Sequence, residues 1–138
     1  MNIEWVIPCR FVEVHDNLGT IIGAGIDTLW VQELPAQVQF MLAVRLLGEA
    51  DELTPEVKHS FKNQIRDPAG EVIDEMAGEM AIGANPARPD YLAGITLPAA
   101  VAFEPAEEGT YTIEVSVDEA SLAFPIHVAF GTPGGAAP

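Results

Sequence analysis

Residues 107–130, EEGTYTIEVSVDEASLAFPIHVAF, constrain this chain more than any other stretch. Tyr111, Ile113, Val115 and Val117 alternate with Thr110, Thr112, Glu114, Ser116 and Asp118. A period of two with one apolar face defines a half-buried strand. Leu122, Phe124, Ile126, Val128 and Phe130 then repeat the alternation. With residues 118–121 as a four-residue loop, Val117 faces Leu122, Val115 faces Phe124, Ile113 faces Ile126 and Tyr111 faces Val128. Every pair is apolar on one face, which is how patterning selects a register. Pro125 has no N–H to give to a ladder, so it predicts an edge or a bulge in the second strand.

A closing hairpin of this kind needs other strands to pack against, and the rest of the chain supplies them. Twelve glycines and eleven prolines punctuate 138 residues, which favours many short strands over long helices. The length suits one domain with a real core. Glu107-x-Gly109-x-Tyr111-x-Ile113 has the form of the tyrosine corner of immunoglobulin-like sandwiches. The expectation is therefore all-β: an immunoglobulin-like antiparallel β-sandwich of about seven to nine strands. It would form a single domain over residues 1–130, with a mobile Gly/Pro/Ala tail at 131–138.

Ile3, Trp5, Ile7, Cys9 and Phe11 share one parity, and Val12 and Val14 take the other, which predicts a strand over 3–14 with a bulge or bend near residues 11 and 12. Pro8 suits an edge strand. Short strands over 18–22 and 26–31 flank the break at Gly23-Ala24-Gly25. Residues 38–47 carry Val38, Phe40, Leu42, Val44 and Leu46 on one face, while Met41, Ala43 and Leu47 make the other face apolar too. A strand apolar on both faces is central or lies under an interface. Strands over 91–97 and, irregularly, 98–105 lead into the closing hairpin.

A second hairpin turns at Asp67-Pro68-Ala69-Gly70, where a type I turn takes Pro at its second position and Gly supplies the positive-φ residue. Pairing Arg66 with Glu71 places Ile65 opposite Val72, Phe61 opposite Met76 and Val57 opposite Met80 on one face. It places Lys62 opposite Glu75 and Lys58 opposite Glu79 on the other. In that register Asn63 and Asp74 face one another on the otherwise apolar side, the oddest pairing in the chain. It reads as a buried hydrogen-bonded pair, a solvated sheet end or a polar site in a cleft.

The formal net charge is -15. Residues 71–138 hold 11 acids and only Arg88 as a base, whereas residues 1–70 hold 10 acids and 5 bases. A surface this acidic excludes nucleic acid as a partner and disfavours an anionic membrane. It keeps the chain soluble, and it would also suit a basic partner or a divalent cation. No apolar run is long enough to span a bilayer and no charged-then-apolar leader is present, so a cytoplasmic protein is expected. One cysteine, Cys9, allows no intrachain disulfide.

Cys9-Arg10-Phe11-Val12-Glu13-Val14, Asn17-Leu18-Gly19-Thr20-Ile21-Ile22-Gly23-Ala24-Gly25-Ile26, Leu34-Pro35-Ala36 and the GTYTIEVSVDEASLAFPIHV close follow one another in an order and spacing that resembles a family of small uncharacterised bacterial proteins. The resemblance spans nearly the whole chain. It implies a compact β-sandwich and no activity.

No residues assemble into a catalytic or cofactor signature. His15, His59 and His127 show no ligand spacing. His59 falls on the apolar side of its hairpin, and His127 falls on an outer face opposite Thr112. Cys9 sits in an apolar alternation, where a thiol is buried and inert. Gly23-Ala24-Gly25 lacks the further Gly, the Lys-Ser/Thr and the helix of a phosphate loop. The carboxylates Glu104, Glu107, Glu108, Asp118 and Glu119 sit at opposite ends of one strand. No catalytic, cofactor or metal residue is therefore assigned, and no cofactor is expected. The leading expectation is a non-enzymatic binding or protein-interaction module, taking a protein partner or self-associating as a homodimer through an apolar sheet face or an edge. The candidate binding residues are Met41, Ala43, Leu47, Asn63 and Asp74. A small-ligand or carbohydrate-binding domain is the alternative and requires a cleft with exposed aromatics. An enzyme ranks last.

Overall fold

A computed structural model describes residues 1–84 and 86–132. It is all-β, with ten strands and no helix among the described residues. They are β1 (Asn2–Cys9), β2 (Phe11–His15), β3 (Leu18–Ile22), β4 (Thr28–Val31), β5 (Val38–Gly48), β6 (Lys58–Arg66), β7 (Val72–Ala81), β8 (Ala93–Phe103), β9 (Gly109–Val117) and β10 (Ala120–Phe130). The strands number one more than the expected range. The chain bends at Arg10, so the expected first strand becomes two, and residues 93–103 run as one strand across Pro98. Of the expected tail, residues 133–138 lie outside the described residues.

One sheet has the order β1-β5-β8 and a second has the order β4-β10-β9-β6-β7, while β2 and β3 form a separate ribbon. All neighbours are antiparallel except β4, which runs parallel to β10 with Val31 beside Phe130. The two sheets face each other across one apolar cluster. Phe40, Leu42, Val44 and Leu46 of β5 share it with Ile95, Val101 and Phe103 of β8, Tyr111, Ile113, Val115 and Val117 of β9, and Ile126 and Val128 of β10. The alternation that defined β9 in the sequence is thus the alternation of its burial.

Parity is as expected, but both hairpin registers differ from the sequence expectation by two residues. In the closing hairpin Val117 pairs with Ala120, Val115 with Leu122, Ile113 with Phe124 and Tyr111 with Ile126. The loop contains only Asp118 and Glu119, and Asp118 takes φ 52 to make so tight a turn. In the middle hairpin the type I turn is present, with Gly70 N–H donating to the Asp67 carbonyl at 2.9 Å and Gly70 at φ 88. Past it, Arg66 pairs with Val72 but Ile65 pairs with Asp74, leaving Ile73 as an extra residue. Asn63 therefore stands opposite Met76, and Phe61 opposite Gly78. Lys58 reaches Glu79 only diagonally, at 4.0 Å.

The tyrosine corner is present: the Tyr111 hydroxyl donates to the Glu107 carbonyl at 2.8 Å. The Tyr111 ring packs against Phe103 with centroids 5.4 Å apart. Pro8 lies on the edge strand β1, and Pro125 lies on β10 beyond the stretch that β4 pairs. Replacing Tyr111 by Phe keeps the buried ring and removes only the corner bond. Chemical denaturation should show a loss of about 1 kcal/mol with an unchanged m-value.

Candidate functional site

The two sheets are unequal in width, and the mismatch falls at one side. β1 contacts β10 across the core, which leaves β6 and β7 at the opposite end of the wider sheet. Nearly every residue of β7 is exposed on both faces. Its inward residues Asp74, Met76, Gly78 and Met80 share a face with Phe61, Asn63 and Ile65 of β6. Met76 remains 51% exposed on what should be a core-facing side. A side chain added at Gly78 would meet nothing within 4 Å. A glycine inside a strand often marks a place where another backbone approaches.

Asn63 sits at the boundary between the closed core and this open strip. It is only 4% exposed, lies between Val115 of β9 and Met76 of β7, and its Oδ1 has no hydrogen-bond partner. A buried acceptor left unpaired costs about 1–3 kcal/mol, so native proteins rarely keep one without a use. Asp74 lies diagonally from it on the same face, exposed, with Oδ1 accepting the Glu75 N–H at 2.9 Å. The structure thus brings Asn63 and Asp74 onto one face but not directly opposite, because the ladder starts at Arg66–Val72 rather than Arg66–Glu71 and the bulge at Ile73 adds one more residue.

The neighbouring edge of the narrow sheet belongs to β8. Its first part is occupied by a side chain. Asn17, at φ 62 in the tip of the β2–β3 ribbon, donates from Nδ2 to the Gly94 carbonyl and accepts the Thr96 N–H on Oδ1, at 2.8 Å. Its amide stands where a neighbouring strand's peptide would stand. Arg45 secures the tip, donating to the Thr96 hydroxyl at 3.1 Å and to the Asn17 carbonyl at 3.4 Å, with Glu4 3.4 Å away on its other side. Beyond Thr96, Pro98, Ala100 and Ala102 are exposed along an edge that no strand pairs among the described residues.

Met41, Ala43 and Leu47 are placed differently from the open interface expected of them. β5 is central in its sheet, and its second face is covered from within the chain. Ala43 is buried with Cys9 and Val12, and Met41 packs beside them with Trp5, Ile7, Val14 and Ile21. The ribbon β2–β3 supplies that cover. Leu47 is half-buried near the ribbon tip, paired with Asn2 and Gly94. Burial raises the Cys9 thiol above its ordinary value, ahead of the lowering by nearby backbone groups, so it stays protonated and unreactive.

Each histidine is accounted for separately. His15 is exposed beside Glu13. His127 meets the Thr110 hydroxyl at 2.9 Å, two residues from the partner expected. His59 is buried, with Nε2 2.8 Å from the Glu52 carbonyl and Nδ1 2.7 Å from Asp118 Oδ2. A carbonyl and a carboxylate both accept, so this setting favours the doubly protonated ring, in which both nitrogens donate. Burial alone would lower its pKa, but the hydrogen bonds and charges of Asp118 and Glu52 raise it overall. Burial alone would raise the Asp118 pKa, but the bonds from His59 and the Ser60 N–H lower it overall. This pair ties the closing turn to β6 and to the 49–57 loop. The sequence placed His59 on the buried side but held no signal for a partner 59 residues away. Among the described residues no three His, Cys, Asp or Glu side chains converge on a metal position, and no helix is long and apolar enough to cross a membrane.

These features define an all-β protein of two facing sheets with a side ribbon, open along one strip of its wider sheet. The chain belongs to a family of unknown function, DUF6941, whose profile matches residues 4–129. No curated protein matches it significantly.

The His59–Asp118 pair sets a pH dependence. The raised His59 pKa adds stability that is full below about pH 6.5 and fades as pH rises through the folded value. The lowered Asp118 pKa adds stability that is present above about pH 3.9 and fades as pH falls through its folded value. His59→Gln should cost about 2 kcal/mol at pH 6, less than a fully buried pair because Asp118 is partly exposed. It should also flatten the alkaline decline in a series of denaturation curves against pH.

Proposed function

We propose that this protein is a non-enzymatic, immunoglobulin-like binding module that takes an extended, Lys- or Arg-bearing segment of a partner protein over Asn63, Asp74 and Met76. One observation carries the reading: the buried, unpaired Oδ1 of Asn63 at the rim of an apolar strip that the narrower sheet leaves uncovered. The immunoglobulin-like plan is supported by the strand order. Sheets of that plan run A-B-E-D against C-F-G, with a tyrosine corner at the start of F. Here β1-β5-β8 match A-B-E, β6-β9-β10 match C-F-G, and Tyr111 opens β9. Among the described residues no strand takes the D position. An extended segment placed there would lie beside β8 and over β7, the mode of strand addition to an open edge.

Charge selects the occupant. β7 carries Asp74, Glu75 and Glu79 and no base, and the chain has net charge -15. A second copy would set acids against acids, whereas a cationic side chain would meet the exposed Asp74 carboxylate, with the buried Asn63 acceptor diagonal to it on the same face. Its apolar neighbour finds Met76, whose thioether adapts to varied surfaces. A cytoplasmic setting accords with the single reduced, buried Cys9.

A short peptide alternating Lys and Val, titrated by NMR against one alternating Glu and Val, tests the reading. The Lys peptide should shift and protect the amides of Ala100, Ala102 and Met76, and weaken with salt. Asp74→Asn should lower its affinity about tenfold, a loss of about 1.4 kcal/mol. Equal binding of both peptides, or of neither, would defeat the proposal. A dimer in light scattering that dissociates on Met76→Glu would instead assign the strip to a second copy.

A further inference from the structure

A second recessed surface lies at the point where the chain changes sheets. β1 ends opposite Met41, so, among the described residues, 38–40 of β5 have no strand on that side, while β4 has already joined the other sheet beside β10. The gap is a groove of about 630 Å³ lined by Arg10, Phe11, Trp30, Gln39, Phe40 and Met41, among others. That size falls in the range of small-molecule sites. Phe11 is 48% exposed and Trp30 39% exposed, so two aromatic rings line a groove floored by core residues.

Two glycines hold the lining side chains against backbone. The aliphatic stem of Arg10 lies across Gly23, whose φ is +68; a Cβ there would come within 2.9 Å of Arg10 Cγ. The Trp30 ring lies over Gly131, φ +131, where a Cβ would stand 3.3 Å from the ring. Gln32 Nε2 donates to the Gly131 carbonyl at 2.9 Å and fixes that backbone. Gly23 therefore accommodates the Arg10 stem as well as breaking the chain between β3 and β4.

Arg45, Lys58 and Arg88 are ion-paired and Arg66 is hydrogen-bonded, whereas Arg10, like Lys62, makes no ion pair or side-chain hydrogen bond among the described residues, in a chain with 21 acids; of these two unpaired cations only Arg10 lines the groove. Leaving an arginine unpaired beside an apolar groove, in so acidic a protein, selects for an anion with an apolar body. We infer that this groove binds a small aromatic carboxylate, with the ring against Trp30 and Phe11 and the carboxylate on the Arg10 guanidinium. A guanidinium takes a carboxylate in a two-pronged pair. The site is separate from the strip over β6 and β7, and neither depends on the other.

Calorimetric titration of the full chain with naphthalene-2-acetate, and with the neutral naphthalene-2-acetamide, tests the assignment. The carboxylate should bind at least tenfold more tightly than the amide. Arg10→Gln should erase that difference while leaving amide binding unchanged, and Arg10→Lys should restore part of it. Trp30→Ala should weaken both ligands about tenfold, and Gly23→Ala, which displaces the Arg10 stem, should weaken the carboxylate alone. Arg10 is exposed, so its variants test binding without disturbing the core. Equal affinity for the two ligands, affinity indifferent to Arg10→Gln, or no binding would overturn the inference. So would a titration that only dissociates a dimer in parallel light scattering, which would make a second copy the occupant.

Discussion

Burial of Tyr111, Ile113, Val115 and Val117 against the inward side chains of β5 is the interaction on which the rest of the structure depends. Each fully buried Val, Ile or Leu contributes about 1.5–3 kcal/mol relative to exposure. β9 sits in the middle of the wider sheet, so this burial also fixes β10 and β6 on its two sides, and through them β4 and β7. The opposing sheet has only three strands. It covers β10, β9 and β6, and its width ends there. The openness of β7 is thus a consequence of strand count, and the exposed Met76 lies where the covering layer runs out.

Parity was legible in the sequence, and register was not. The apolar pattern has a period of two, so sliding a strand by one residue exposes a whole face, while sliding it by two leaves apolar against apolar. That degeneracy is why Val115 pairs with Leu122 although the pattern accepted Phe124 equally well. The turn decides. A two-residue loop with Asp118 in the left-handed region is held by the bonds of the Asp118 carboxylate to His59 and the Ser60 N–H, contacts distant in sequence. In the middle hairpin the bulge at Ile73 does the same, and no local signal marks it. Asn63 was visible as an oddity because a polar residue stood in an apolar alternation. The groove at Arg10 was not visible, because its lining comes from strands far apart in the chain and meets only where the chain changes sheets.

Two polar side chains are buried on the inward face of β6, His59 and Asn63, and they differ in what they have found there. His59 has an acceptor for each ring nitrogen and acts as a staple between the closing turn and the 49–57 loop. Asn63, four residues further along the same face, keeps an acceptor without a donor. Satisfied groups of the first kind rigidify a fold, and an orphan of the second kind marks where the fold alone is not the whole design.

The clasp of Asn17 on β8 has a consequence for how much of that edge is readable. The amide takes the carbonyl of Gly94 and the N–H of Thr96, so the backbone groups of alternate residues from Gly94 onward face outward. Pro98 has no N–H to offer. Ala100 and Ala102 are then the remaining donors before the strand ends at Phe103. The edge works as a short gauge, blocked at one end by a borrowed amide and interrupted by an imino acid. Along it only Ala100 and Ala102 still offer N–H groups, which denies an endless stack of sheets the long, regular seam it would need to grow.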